Sequence, residues 1–266
     1  MSFFEMSYIS RALLREVHVK VILPTDKMAG NWQPPSRTLY MLPGSTATAL
    51  QLITHLRPRE EAELKGIAIV LPDGENFFYQ DVPGQMTLYS TFVGKELVEE
   101  TRNTFPLSQK KEDTFIGGTS LGGYGALYNG LKYHDTFSKV AIFSPSVDPY
   151  DLTHRGIPSF SAEQFDRFFK SKEDYENSEA NVVKQWVTVP EEEKPELFMC
   201  CGTDDKLVYP EVKPFEDSLV AAGVKHVYRE GPGNHEMYFW QTMLDPAFSF
   251  LAGIEEGTRD KLVSPI

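Results

Sequence analysis

Short apolar runs recur along the chain, each bounded by Gly, Pro, Asp or Ser: Val17 to Leu23, Thr38 to Leu42, Gly66 to Leu71, Thr114 to Gly117, Val140 to Phe143, Leu197 to Cys201 and His226 to Arg229. Between most of them, apolar positions repeat at helical spacing, over Ala47 to Leu56, Thr91 to Thr104, Leu121 to Leu131, Val212 to Ala222 and Glu236 to Phe250. Strand–helix alternation of this kind predicts a mainly parallel sheet with helices on both faces, built as one α/β domain over residues 1–266. One stretch breaks the rhythm. Residues 147–195 carry charged helical patterns and a late apolar cluster, Val182 to Val189 around Trp186. They are expected to form a small cap-like insertion over the strand ends, against the plainer reading of a peripheral decoration.

Composition narrows the partners. With 26 Lys+Arg against 38 Asp+Glu the formal charge is -12, which repels nucleic-acid phosphates and anionic lipid surfaces. Early apolar residues at the N-terminus are interrupted by Glu5, Arg11, Arg15 and Glu16, so the layout of a signal peptide is missing. No apolar stretch is long enough to insert in a membrane, and a cytoplasmic protein is expected. The charge does not set the subunit number, a monomer or a homo-oligomer. The adjacent Cys200 and Cys201 end a strand-like run and read as core thiols rather than a disulfide or metal site.

In sheets of this type ligands bind beyond the carboxyl ends of the strands. Serine, aspartate and histidine all occur there. Gly118-Thr119-Ser120-Leu121-Gly122 has the pattern G-x-S-x-G, with a strand before it and a helix of small residues after it. A serine on so sharp a turn holds its hydroxyl clear of the sheet, and Gly118 and Gly122 answer the crowding two residues to either side. The helix starting at Leu121 aims its N-terminal N–H groups at the same spot, where they would stabilise an oxyanion.

A serine hydroxyl needs a base, and the base needs a carboxylate to hold its tautomer. Among the six histidines, His235 alone follows the last predicted strand in a Gly/Pro/Asn loop and precedes a helix, the place that the chain order Ser, acid, His requires. For the acid, Asp204 and Asp205 both follow the strand ending at Cys201. As adjacent residues they point in different directions, and the sequence leaves the choice open.

From Pro72 onward the chain resembles the esterase D family of α/β-hydrolases, on FIGGTSLGGYGAL at the turn, FSKVAIFSPSVD on the next strand, MCCGTDDKLVY at the acid and GNHEMYFWQ at the histidine. The resemblance implies Asp205 as the acid, His235 as the base, and an oxyanion hole made by the backbone N–H groups of Leu121 and Ser45. In the turn that carries Ser45, Pro43 replaces the family's usual histidine and Gly44 keeps the register. The expected function is a serine carboxylesterase acting on short acyl or small aryl esters through an acyl-enzyme. No metal or organic cofactor is called for, and the partner is a small ester. Alternatives within the family are an S-formylglutathione-type thioesterase and a feruloyl or cinnamoyl esterase. From another class, a non-catalytic hydrolase-like binding module would show damage in the triad or the turn, and none is visible. Phe77, Phe78, Tyr79, Tyr124, Trp186 and Tyr238 supply aromatic surface near the expected pocket, with Tyr124 and Trp186 as the candidate substrate contacts.

Overall fold

Every predicted apolar run forms a strand, and the order in which the strands pair decides which loops meet. The computed structural model describes residues 1–25, 34–74, 78–82, 87–157 and 160–258. In chain order the strands are β1 Ser2–Ser10, β2 Arg15–Leu23, β3 Arg37–Leu42, β4 Ile67–Pro72, β5 Asp81–Val82, β6 Thr87–Leu88, β7 Thr114–Thr119, β8 Lys139–Phe143, β9 Glu196–Gly202 and β10 His226–Gly231. The main sheet runs β1-β2-β4-β3-β7-β8-β9-β10, while β5 and β6 pair separately. Antiparallel pairing joins β1 to β2 and β2 to β4, and the remaining neighbours of the main sheet are parallel.

Side chains alternate between two core layers because successive residues of a strand face opposite sides. Tyr40, Leu42, Val70, Ile116, Ile142 and Met199 point into one layer. Leu39, Met41, Ile69, Phe115, Phe143 and Phe198 point into the other. The second layer is covered by α1 Ala49–Gln51, which continues as a π-helical turn to Leu56, by α2 Arg59–Lys65, and by two C-terminal helices described below. The first is covered by α3 Tyr89–Thr91, α4 Leu97–Thr104 and α5 Leu121–Lys132. Segment 147–195 holds α6 Pro149–His154, α7 Ala162–Asp166, α8 Lys172–Glu176 and α9 Val182–Thr188. It has a small aromatic core of its own, Phe165, Phe169 and Tyr175. The chain closes through α10 Tyr209–Ala221 on the first layer, and α11 Met237–Thr242 and α12 Leu244–Ala252 on the second.

The structure departs from the predicted elements in two informative places. Glu236 to Phe250 is not one helix, because Pro246 has no N–H to offer the carbonyl of Thr242, and the chain breaks at Met243 into α11 and α12. The N-terminal residues, which sequence pattern leaves without an element, form β1, nine residues paired with β2 from Ser2↔Leu23 to Ser10↔Arg15. Cys200 and Cys201 are buried free thiols on β9. Burial pushes both thiols up, Cys201 to about 12, so they remain neutral. Among the described residues no helix is long and apolar enough to cross a membrane.

Candidate active site

Ser120 stands between the end of β7 and the start of α5 with φ 53 and ψ -120, a conformation costly for any side-chain-bearing residue. Its backbone is held from several directions: Ser120 N–H donates to the Phe143 carbonyl (2.9 Å), and its own carbonyl accepts from Gly123, Tyr124 and Ser146 (2.9, 3.2 and 3.1 Å). The strain is met by bonds to β8 and to the loop beyond it.

Glycine is required beside this turn for lack of room. A Cβ on Gly118 would lie 2.3 Å from the Gly122 carbonyl oxygen, and one on Gly122 would lie 2.1 Å from that of Leu42. The turn after β3 is thereby pressed against the serine. At Gly44 a Cβ would come within 3.2 Å of Ser120 Cβ, and the neighbouring Pro43 carbonyl is pinned by the Tyr79 hydroxyl at 2.6 Å. Ser45 is the next residue along that turn. Leu121 opens α5, where an amide has no intrahelical acceptor.

β9 and β10 run parallel in register to Gly202↔Gly231, so the loops that follow them leave side by side. Here the two adjacent aspartates separate. Asp204 Oδ2 accepts from Gly233 N–H at 3.2 Å while its own N–H donates to the Gly233 carbonyl at 3.0 Å, which ties the two loops together. Asp205 turns inward and is 1% exposed. Its Oδ1 accepts the N–H groups of Leu207 and Val208 (3.0 and 3.1 Å), and its Oδ2 lies 2.7 Å from His235 Nδ1. With Nδ1–H donated to Asp205, Nε2 carries the lone pair. The structure brings acid and histidine together, but no hydrogen bond links Ser120 Oγ to His235 Nε2 among the described residues. Such contacts are often long before substrate arrives.

Sequence reasoning missed Trp240. Its ring meets the His235 ring edge-on, centroids 5.2 Å apart at 86°, and its Nε1–H donates to Ser144 Oγ at 2.9 Å. Ser144 follows β8, the neighbour of β7, and its N–H is bonded to the Cys200 carbonyl on β9 at 2.7 Å. The bond therefore draws the histidine loop from β10 back across the sheet toward Ser120. In the sequence this residue was marked only by a helical apolar period and by its place in the stretch GNHEMYFWQ, neither of which pointed to a role. Trp240→Phe keeps an aromatic, though smaller, ring and removes the donor. It is expected to lower kcat about 3- to 10-fold, the loss of one hydrogen bond, with KM little changed. Steady-state kinetics on a short ester checks this, and an unchanged kcat would exclude the bond from positioning the imidazole.

The loop beyond β8 is fixed by a buried carboxyl. Glu211 on α10 accepts the N–H groups of Val147 and Asp148 through Oε2 (3.3 and 2.9 Å), and Arg155 lies 3.4 Å from its Oε1. Burial raises its pKa from the ordinary 4.5 to about 8, against the lowering effect of those N–H groups and Arg155. The folded chain thus holds a proton that the unfolded chain releases. That contribution to stability is complete below pH 4.5 and is lost as pH rises through 8. Glu211→Gln should flatten the decline between these limits, as read from urea unfolding at several pH values.

Tyr124 and Trp186 need correction as substrate contacts. Both are 0% exposed. The Tyr124 hydroxyl accepts from Gln80 Nε2 (2.7 Å) and donates to the Ala180 carbonyl (2.8 Å), and Trp186 Nε1–H reaches the Leu127 carbonyl (3.3 Å). They fasten segment 147–195 to α5 and offer no surface to a ligand. Phe78 and Tyr79 are also buried, Tyr238 is 76% exposed, and Phe77 lies outside the described residues.

The Esterase family model matches residues 10–251. An acetyl esterase of Caldicellulosiruptor saccharolyticus is 32% identical over 270 residues, covering 96% of this chain and 100% of that protein. Among solved structures, the Staphylococcus aureus fluorophosphonate-binding serine hydrolase FphF superposes with a TM-score of 0.82 at 24% identity, over 94% of this chain and 98% of the other. S-formylglutathione hydrolase FrmB from the same organism gives 0.80 at 22%, with the same coverage.

Proposed function

Since the chain belongs to the Esterase family and is a serine esterase with the α/β-hydrolase fold, we propose that it hydrolyses short acyl esters, acetyl to butyryl, with Ser120, His235 and Asp205 as its catalytic triad. The observation that carries the residue assignment is the 2.7 Å contact between buried Asp205 and His235, made on the sheet end that also holds the strained Ser120.

Ser120 Oγ attacks the ester carbonyl while His235 Nε2 takes its proton. The Asp205 carboxylate stabilises the imidazolium, already desolvated and aimed by Leu207 and Val208. The backbone N–H groups of Leu121 and Ser45 receive the oxyanion, worth about 3 kcal/mol each in comparable holes. His235 returns the proton to the leaving alcohol, and water then releases the acid by the same steps in reverse order. Metal and organic cofactors have no part in this scheme.

The acetyl esterase relative supports the short acyl group. Segment 147–195 serves as the cap of a single domain over residues 1–266, an assignment supported by its ties to α5 and α10 through Tyr124, Trp186 and Glu211. Two buried, reduced cysteines suit the cytoplasm as the compartment. The test is a p-nitrophenyl ester series from acetate to octanoate, run beside S-formylglutathione. The highest kcat/KM should fall at acetate to butyrate, with a drop of about tenfold or more by octanoate. A maximum at octanoate, or a preference of orders of magnitude for the thioester, would overturn the short-ester reading.

A further inference from the structure

Tyr79 adopts φ 54, a left-handed backbone that a bulky residue enters only at a cost. The fold holds it there on three sides. Asn129 of α5, fully buried, donates from Nδ2 to the Tyr79 carbonyl at 3.1 Å, and Ser90 Oγ donates to Asn129 Oδ1 at 2.7 Å. The ring fits where α5 has no side chain, since a Cβ on Gly125 would fall 2.5 Å from it, and it meets the Tyr89 ring edge-on with centroids 5.3 Å apart. A Cβ on Gly74 would lie 2.9 Å from the hydroxyl. Tyr79 is 0% exposed, so it offers nothing to a substrate. What the strained residue delivers is its 2.6 Å hydrogen bond to the Pro43 carbonyl.

That carbonyl sits at the base of the turn that carries Ser45. Pro43 has no N–H by which the turn could be held, so its carbonyl is the handle. The next peptide is set by the turn itself. The Gly44 carbonyl accepts Ala47 N–H at 3.1 Å, and because a trans peptide points its C=O and N–H in opposite directions, the Ser45 N–H faces away from Ala47. With Thr46 at φ 60 closing the turn, rotation of the Pro43–Gly44 peptide would carry the Ser45 N–H with it. We propose that Tyr79 is a positioning residue for the oxyanion hole, its hydroxyl locking the Pro43–Gly44 peptide so that the Ser45 N–H stays aimed at the oxyanion. This role rests on the reading of Ser120 as nucleophile and Ser45 as donor.

Tyr79→Phe keeps the ring and removes only the hydroxyl. One oxyanion donor is worth about 10²- to 10³-fold in kcat, so its misalignment is expected to lower kcat on p-nitrophenyl acetate about 10- to 100-fold. KM should hold within about twofold, because acylation and deacylation both pass through an oxyanion and slow together. A short-chain trifluoromethyl ketone, whose hemiketal oxyanion fills the hole, should lose affinity by the same factor. The pH of half-maximal kcat/KM, set by His235, should stay in place. Tyr40→Phe is the control. It removes a buried hydroxyl bonded to Thr101 Oγ1 at 2.9 Å, on the strand that leads to the turn, and should leave kcat within about twofold of the wild type. Gly125→Ala, which crowds the Tyr79 ring and leaves its hydroxyl, should repeat the split between kcat and KM. A Tyr79→Phe kcat within about twofold of the wild type, a loss matched by Tyr40→Phe, or a loss without weaker ketone binding overturns the proposal and leaves the triad standing. Turnover that survives in Ser120→Ala overturns both.

Discussion

Replacing Ser120 by alanine is expected to lower kcat on p-nitrophenyl acetate about 10⁴- to 10⁶-fold, since the residual rate comes only from binding and the oxyanion donors. The variant should fold normally. Alanine at φ 53 bears the same backbone strain as serine, and the bonds that hold this turn to Phe143, Gly123 and Ser146 are made by main-chain atoms. The variant and the wild type should therefore unfold within ~2 °C of each other, a shift that corresponds to about 1 kcal/mol for a chain of this length. Retention of more than about 1% of wild-type turnover, against the loss set out above, would remove Ser120 from the chemistry.

The second large effect separates neighbouring carboxylates. Asp205→Asn is expected to cost about 10⁴-fold in kcat, because an amide facing Nδ1 favours the tautomer whose proton sits on Nε2, where the base needs a lone pair. Asp204→Asn should cost less than about tenfold, since Asp204 only steadies the Gly233 turn through one backbone N–H. The ratio between the variants is the reading to take. Comparable losses at both positions would mean that the loop, rather than one carboxylate, carries the effect, and would overturn the assignment of Asp205 as the acid.

Trp240 shows why part of the site lay beyond sequence pattern. Its hydrogen bond to Ser144 spans 96 residues of chain and joins a helix after β10 to the end of β8. Nothing local to either residue signals the contact, since an aromatic on a helical apolar face is ordinarily core. The opposite error occurred at Tyr124 and Trp186, where aromatic character suggested a pocket and burial made them fasteners. An aromatic ring suits either role, and only the packing around it separates them.

Local chemistry alone was enough for other features. Apolar runs buried on both faces announced the parallel sheet. Gly118 and Gly122 around Ser120 announced a turn that tolerates no Cβ, a requirement that the clashes with Gly122 and Leu42 make concrete. His235 was legible from its place after the last strand. β1 was not, because a half-exposed edge strand mixes apolar and polar residues and lacks the continuous run that marks a central one.

By itself, then, the sequence determined the layered α/β architecture, the serine turn and the histidine loop, since each depends on residues within a few positions of one another. The tertiary structure decided that Asp205 faces His235 while Asp204 faces the Gly233 turn, that Trp240 bonds Ser144, and that β1 is exposed at the sheet edge. Each depends on which strands become neighbours, and strand order is set by the packing of the whole chain, which no short stretch of sequence encodes.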